Sequence, residues 1–332
     1  MALHSLTKTQ KEDLQKSLLL LNKITRQAYN DKIQIIALTL WKKNLSPNNP
    51  QWKYVEFKPF YIETNHGMAH VFAMVDQRLP NIGIVGYFAC TNAKVGAVVL
   101  DNACEWLKAK HKVKDVYGPI NGTLSNDYRI NLKDDFAFPG EPVNPSWYLE
   151  AFTAAGFSEF NRYGSGRLKH FNIVLRNSFK RKMGIDSRYS VRPFVGGVNS
   201  ADFKKYHVLR NIIFPFQSVY CPSISLEERI YNSSGKFDPN YTYFLLDGQK
   251  EVGFAMAYIY EKQLILKTLG ILPKYRGMQL SSLLLEPIHK NAASDGAKTA
   301  IYAMIREGNE VHRRKHPLAQ VFRHYVTMHK TI

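Results

Sequence analysis

Apolar positions along this 332-residue chain recur at two spacings, and the switches between them mark out its elements. Leu14, Leu18, Leu21 and Ile24 fall three or four residues apart, the period of one helix face, and predict helix over residues 8–45. Ser46-Pro47-Asn48-Asn49-Pro50 breaks the pattern and reads as a loop. Residues 54–63, 70–76 and 82–90 then alternate or run apolar, with the aromatic and β-branched content of strands. Residues 95–110 return to helical spacing, with Val98, Val99, Ala103, Trp106 and Leu107 on the buried side, and 115–119 read as a short strand ending in a turn.

The second half repeats the alternation. Ser190-Val191-Arg192-Pro193-Phe194 opens a strand, and residues 202–216 and 225–231 have helical spacing. Residues 241–247 and 252–260 are two strands around the hairpin loop Asp247-Gly248-Gln249-Lys250. Residues 264–272 form a further strand. Leu280, Leu284 and Ile288 then line a helix that Pro287 is expected to bend or shorten, and 299–305 is another strand. The length suits two domains, which the basic, polar stretch 180–189 divides into 1–189 and 190–332.

Composition, 45% hydrophobic with 13% aromatic, is enough to fill two cores. No apolar run approaches the ~18–20 residues that span a bilayer; the longest is Ile35-Ile36-Ala37-Leu38-Thr39-Leu40-Trp41. Lys8, Lys11, Glu12 and Asp13 near the start are unlike a secretory signal. Cys90, Cys104 and Cys221 are scattered without C-x-x-C spacing, so neither a disulfide framework nor a metal site is indicated, and the expected location is the cytoplasm.

The net charge changes the picture more. At +18 it exceeds what solubility requires and should attract polyanions. Between Arg167 and Arg192 stand eight Lys or Arg residues, including Lys180-Arg181-Lys182, against Asp186 alone. Arg306, Arg313, Arg314, Lys315 and Arg323 form a second basic region, interleaved with His312, His316 and His324. Such runs read either as a solvated surface or as a docking face for an acidic partner.

The candidate chemistry sits where the strand ending at Pro273 passes through Lys274-Tyr275-Arg276-Gly277-Met278-Gln279 into the helix that begins near Leu280. A strand–turn–helix passage of this kind aims unpaired backbone N–H groups and the positive end of a helix dipole at one spot, which suits a phosphate. Arg276 adds a permanent charge at the rim. This order resembles the acyl-CoA motif of the GNAT superfamily of N-acyltransferases, a strand ending in Pro followed by R-x-x-G-x-G/A. The resemblance implies that Leu269, Ile271, Arg276, Gly277, Met278, Gln279, Leu280, Ser281 and Ser282 hold the donor, acyl-CoA (acetyl-CoA) or an acyl-phosphopantetheine. Gln279 and Ser281 stand where the motif has small residues. Gln279 either folds away from the pyrophosphate or occupies its space.

The first half adds to the resemblance. Gly118, Pro119, Asn121, Ser125, Asn126, Asp127, Asn144, Pro145, Tyr148, Gly156 and Phe157 keep the order seen in a group of two-domain GNAT-like proteins. The fold so implied is α/β: two tandem GNAT-like domains, each a mixed, mostly antiparallel twisted sheet flanked by helices, with a recognisable phosphate turn in the second copy. In that family a backbone amide polarises the donor carbonyl, which the resemblance places at Leu269, Gly270 or Ile271. Asn309 matches the Asn that opens the last motif, and the thiolate-protonating Tyr position falls on His316. Glu251, at a strand start, is either the base for the acceptor amine or a surface carboxylate. Tyr302 either lines the cleft or packs in the core.

Three functions remain open on the sequence. One is an N-acyltransferase moving an acyl group from an acyl thioester to a small-molecule or peptide amine. The second uses a macromolecular donor, acyl carrier protein or aminoacyl-tRNA as in the Fem-type enzymes, and is favoured by the charge and by Gln279. The third is a non-catalytic protein that binds an acidic partner.

Overall fold

The computed structural model describes residues 8–28, 50–124, 128–133, 135, 137–169, 184–214, 227–228, 230–232, 236–308 and 319–332. In chain order the elements of the first half are α1 (Lys8–Ala28), β1 (Val55–Thr64), β2 (Gly67–Asp76), β3 (Ile82–Cys90), α2 (Ala93–His111), β4 (Asp115–Gly118), β5 (Ile130–Asn131), α3 (Tyr148–Ala154) and β6 (Ser158–Leu168). They continue with β7 (Tyr189–Pro193), α4 (Ala201–Ile213), β8 (Thr242–Asp247), β9 (Lys250–Tyr260), β10 (Gln263–Ile271), α5 (Ser281–Ser294), β11 (Thr299–Arg306) and β12 (Ala319–Thr331).

Compactness divides the chain into two units. One holds Met1–Ala137, Glu141–Arg162 and Tyr325–Ile332, the other Phe138–Gly140 and Tyr163–His324. The main change of unit therefore falls upstream of the 189/190 break read from composition, and the chain's last residues return to the first unit.

In the first unit β1, β2 and β3 are antiparallel neighbours, β4 runs parallel to β3, and β12 runs antiparallel to β4. The crossover from β3 to β4 is α2. Its Val99, Leu100, Ala103 and Leu107 pack with Val71, Ala73, Val75 and Val85 of the sheet. Val98 is 45% exposed, not buried as its spacing suggested; Leu100 and Cys104 take core positions on that helix instead. Helix α1 is described over Lys8–Ala28, and the remainder of the helix expected to residue 45 lies outside the described residues.

The second unit repeats the plan. Strands β7, β8, β9 and β10 are antiparallel neighbours, α5 crosses over to β11, which is parallel to β10, and β6 pairs antiparallel with β11. One sheet face carries Leu264 and Leu266 against Leu283, Leu284 and Ile288 of α5. The other carries Phe244, Phe254 and Met256 against Phe203, Tyr206, Leu209 and Ile213 of α4. Pro287 does not shorten α5, which runs on to Ser294. Of the expected 225–231 helix, residues 227, 228 and 230–232 are described, and they are helical.

Besides the two-residue β5, two strands escaped the periodicity. The β6 sequence is rich in Gly, Ser and charge and buries four consecutive residues, so it has no alternation to read. It is a strand because β11 supplies its ladder partners, Ala300 to Leu168 and Arg306 to Tyr163. Strand β12 likewise rests on distant partners, Met328 with Gly118 and Tyr325 with Asn131.

Candidate functional site

Parallel strands β10 and β11 begin as a regular pair, Gln263–Leu266 against Thr299–Tyr302, and their pairing stops there although both strands run on. Each is irregular at the point of parting. Strand β10 bulges against β9 between Leu266 and Thr268, and β11 shifts register against β6 between Tyr302 and Ile305, with Met304 at φ +51°. Past Leu266 one edge of β10 therefore carries backbone groups that β11 does not use.

Alternation identifies those groups. The Leu272 N–H donates to Val252 O of β9 at 2.9 Å, so the Gly270 N–H faces β9 too, and those of Leu269 and Ile271 face the opened edge. Of the three residues expected to polarise the carbonyl, Leu269 and Ile271 thus turn their N–H groups to the opened edge and Gly270 turns its own to β9. Gly270 has a packing role: a Cβ there would lie 2.8 Å from Ile213 Cγ2 and 3.1 Å from the Phe214 ring.

Beyond Ile271 the chain makes one 3-10 turn, Pro273–Tyr275, and then the exposed run Arg276 to Gln279. Gly277 has φ +82° and Gln279 φ +60°, both in the left-handed region. Among the described residues, none accepts from the N–H groups of Gly277, Met278, Gln279, Leu280 or Ser281; the next amides, of Ser282 and Leu283, bond Gln279 O and Leu280 O. Helix α5 follows directly, with Leu280 at its N-cap and no side-chain cap. Five amides unengaged by the described residues, a turn alternating into left-handed residues and an uncapped helix start make a backbone arrangement that suits an anion. Gln279 holds a left-handed backbone conformation that suits glycine, and it is exposed. Holding a non-glycine residue there costs about 1–2 kcal/mol. Arg276 braces the turn, its Nε donating to Ile271 O at 3.0 Å and its Nη2 to Ile213 O at 3.2 Å.

Glu251 is bound on two sides, by Arg192 Nη2 at 2.8 Å and by Lys205 Nζ at 2.8 Å. Burial pulls its carboxyl upward, but those two cations outweigh it and hold the group below the usual carboxylate range. A carboxylate so held is a weak base, and its place opposite Leu246 is at the Pro273 end of β9, away from the bulge. Tyr302, half-buried where β11 leaves β10, packs with the α5 core, and its hydroxyl meets His289 Nε2 at 3.2 Å. Asn309 and His316 lie outside the described residues, as do Ser125, Asn126, Asp127 and the cluster Lys180-Arg181-Lys182.

The first unit has the same β-α-β passage without that arrangement. Two residues, Thr91 and Asn92, link β3 to α2, and Asn92 caps the helix by accepting from Val95 N–H at 3.1 Å. Its opened strand edge is occupied too: the buried Tyr87 N–H, in a residue with φ +48°, donates to Asn121 Oδ1 at 2.6 Å. Asn121, one of the residues that carried the resemblance, thus supplies a carbonyl from within the chain.

One group of residues was invisible in the sequence. Lys267, the bulged residue of β10, donates from Nζ to the Tyr231 hydroxyl at 2.6 Å and lies 3.9 Å from the Tyr231 ring centre. Tyr231 in turn meets the Tyr206 hydroxyl at 3.1 Å. Behind them the fully buried Glu227 binds His207, and Arg210 Nε stands 3.5 Å from Glu227 Oε1. Only the bulge and the packing of α4 bring these together.

Residues 207–315 match the sequence model of the acetyltransferase (GNAT) family. Over that third of its length the chain resembles GNAT acetyltransferases. Three solved structures share the fold across most of this chain. A tandem GNAT protein from the clavulanic acid biosynthesis pathway is 11% identical, with 98% of this chain and 97% of that one covered, at a TM-score of 0.52. A probable N-acyltransferase from Enterococcus faecalis is 12% identical over 97% of this chain and 71% of that one, at 0.54. The glucosamine N-acetyltransferase region of a fungal multi-domain β-N-acetylglucosaminidase is 11% identical over 91% of this chain and 37% of that one, at 0.55. At such identities the likeness speaks for the fold: two tandem GNAT-like domains with mixed, mostly antiparallel sheets. Comparison with curated protein sequences gave no match. No helix among the described residues is long and apolar enough to cross a membrane.

Proposed function

We propose that the chain transfers an acyl group from an acyl thioester of the acyl-CoA class to the amine of a small molecule or peptide, with the donor bound in the second of two GNAT-like copies, residues 190–332. The observation that carries this reading is the run of five amides from Gly277 to Ser281, unengaged by the described residues, at the end of a strand whose edge has parted from its neighbour. The donor's phosphates rest on that cradle beside Arg276, and its arm follows the open edge of β10. The Leu269 or Ile271 amide then donates to the thioester oxygen as it becomes an oxyanion. By resemblance Asn309 opens the last motif and His316 returns a proton to the thiolate. Calorimetric titration with acetyl-CoA tests the reading, and absence of binding by it and by the carriers below overturns it.

A donor presented on a carrier is the second reading, and it rests on the net charge of +18 together with the exposure of Arg276 to Gln279. Acyl carrier protein and aminoacyl-tRNA belong in the same titration. A tRNA complex is marked by a steep fall of affinity with salt, about one log–log unit per phosphate contacted. The cytoplasm suits either donor.

Two substitutions probe the turn. Gln279→Gly is expected to raise stability by about 1 kcal/mol, because glycine adopts φ +60° without strain, and to strengthen acetyl-CoA binding. Weaker binding, measured by calorimetry, would show that Gln279 itself touches the donor. Arg276→Ala is expected to raise the donor KM by roughly ten- to a hundredfold, the worth of about 1.5–3 kcal/mol for a charge-assisted hydrogen bond. Its kcat should change much less, since a phosphate contact acts alike on ground and transition states. Steady-state kinetics separate the two parameters.

A further inference from the structure

We propose that Lys267 is the general base that takes a proton from the acceptor amine, held at the parting of β10 and β11 by the Tyr231 hydroxyl. The proposal rests on the acyltransferase reading and adds the residue that readies the nucleophile.

Position is the first argument. Lys267 is the residue by which β10 bulges, immediately after its last pair with β11, Leu266 with Tyr302. Its side chain leaves the sheet on the α4 side, where Nζ meets Tyr231, whereas the phosphate turn leads into α5 on the other face. A donor laid along the open edge from the turn to the bulge brings its thioester end beside Lys267. The five strand steps from Lys267 to Leu272 span about 17 Å at ~3.3 Å each, a reach suited to the extended arm of a thioester donor. The acceptor then approaches from the α4 side, where the amine of Lys267 lies.

Environment is the second argument. The residue is partly exposed, yet its amine turns inward onto Tyr231. The groups around it are Tyr206, His207 and Arg210 from α4, Glu227 and Tyr231 from the helical residues 227–228 and 230–232, and Lys236. Burial, with the positive charges of Lys236 and Arg210, pushes the ammonium well below the ordinary lysine range against the pull of Glu227. Glu227 is already committed to His207 and Arg210, so it is a poor counter-ion for Lys267. Tyr231 fixes the direction of the amine through its hydroxyl.

The protons balance. The acceptor enters as an ammonium and gives one proton to neutral Lys267, and the freed nitrogen lone pair forms the C–N bond. As the tetrahedral intermediate collapses, the C–S bond breaks with its electron pair going to sulfur, and sulfur gains one proton as nitrogen loses a second. The third stays on the amide. Lys267 releases its proton to solvent once the product has left, so each turnover frees one proton and oxidises nothing.

The test uses the full chain, with acetyl-CoA as donor and a panel of amines as acceptors. Lys267→Met is expected to lower kcat by ~100-fold or more and to remove the acidic limb of the kcat/KM profile, with acetyl-CoA affinity unchanged by calorimetry. Lys267→Arg keeps length and charge but cannot give up its proton, so it should be as slow as the Met variant. Rescue by Arg, or a Met variant with full kcat and an unshifted acidic limb, overturns the role of base while leaving the acyltransferase reading standing. A wild-type protein that binds neither acetyl-CoA nor an acyl carrier overturns both. A donor-independent readout is pulse labelling of amines across pH, followed by mass spectrometry. Lys267 should gain reactivity at lower pH than the surface lysines, and titration together with them overturns the proposal whatever the donor.

Discussion

Ser281→Asp is expected to leave the protein as stable as before, or slightly more so, while raising the Kd for acetyl-CoA by roughly a hundredfold. Ser281 is the first residue of α5, which has no side-chain cap. A carboxylate in the first turn of a helix gains about 0.3–1 kcal/mol from the helix dipole. The same charge beside a donor phosphate meets like-charge repulsion of about 3 kcal/mol at ~5 Å and an effective dielectric of ~20. Ser281→Asn, which alters polarity without adding charge, should bind nearly as the wild type does. Thermal unfolding and calorimetry on the two variants read the two effects separately. An Asp variant that binds acetyl-CoA normally places the phosphates elsewhere.

The largest loss of stability is expected from Glu227→Ala. Glu227 has no exposed surface and faces both His207 and Arg210, itself 5% exposed. Removing the carboxylate takes a charged partner from the buried Arg210 guanidinium, and breaking a buried pair typically costs about 3–5 kcal/mol. For a unit of this size that corresponds to a fall of ~6–20 °C in Tm. Replacing Arg210 by Met as well should recover much of the loss, because both charges of the pair are then removed together. An unchanged melting curve for Glu227→Ala would mean that water, rather than Glu227, serves Arg210.

Much of the candidate site's backbone was legible because it is local. The strand, Pro273, the turn and the start of α5 are consecutive, and the turn residues announce the passage whatever packs around them. The left-handed backbone at Gln279 was harder to read, since only a glycine advertises it. What escaped the sequence depends on partners far along the chain. Strands β6 and β12 owe their conformation to β11, β4 and β5 rather than to their own residues. The bulge at Lys267 is a mismatch between β10 and β9, and it changes the parity by which alternation assigns faces. Glu251 read as an isolated strand-end carboxylate because Arg192 and Lys205 reach it from 59 and 46 residues away. The Glu227 cluster likewise joins residues that share no motif.

The return of Tyr325–Ile332 to the first unit has a consequence for biosynthesis. Domains on the ribosome commonly fold in the order they emerge, the N-terminal one first. Here β4 must wait for Met328 to Thr331 and β5 for Tyr325 and Val326, residues translated after the whole of the second unit. The portion made first is thus the portion finished last, and a nascent chain truncated at His324 holds an incomplete first sheet, with β4 presenting an unpaired edge to whatever strand it meets.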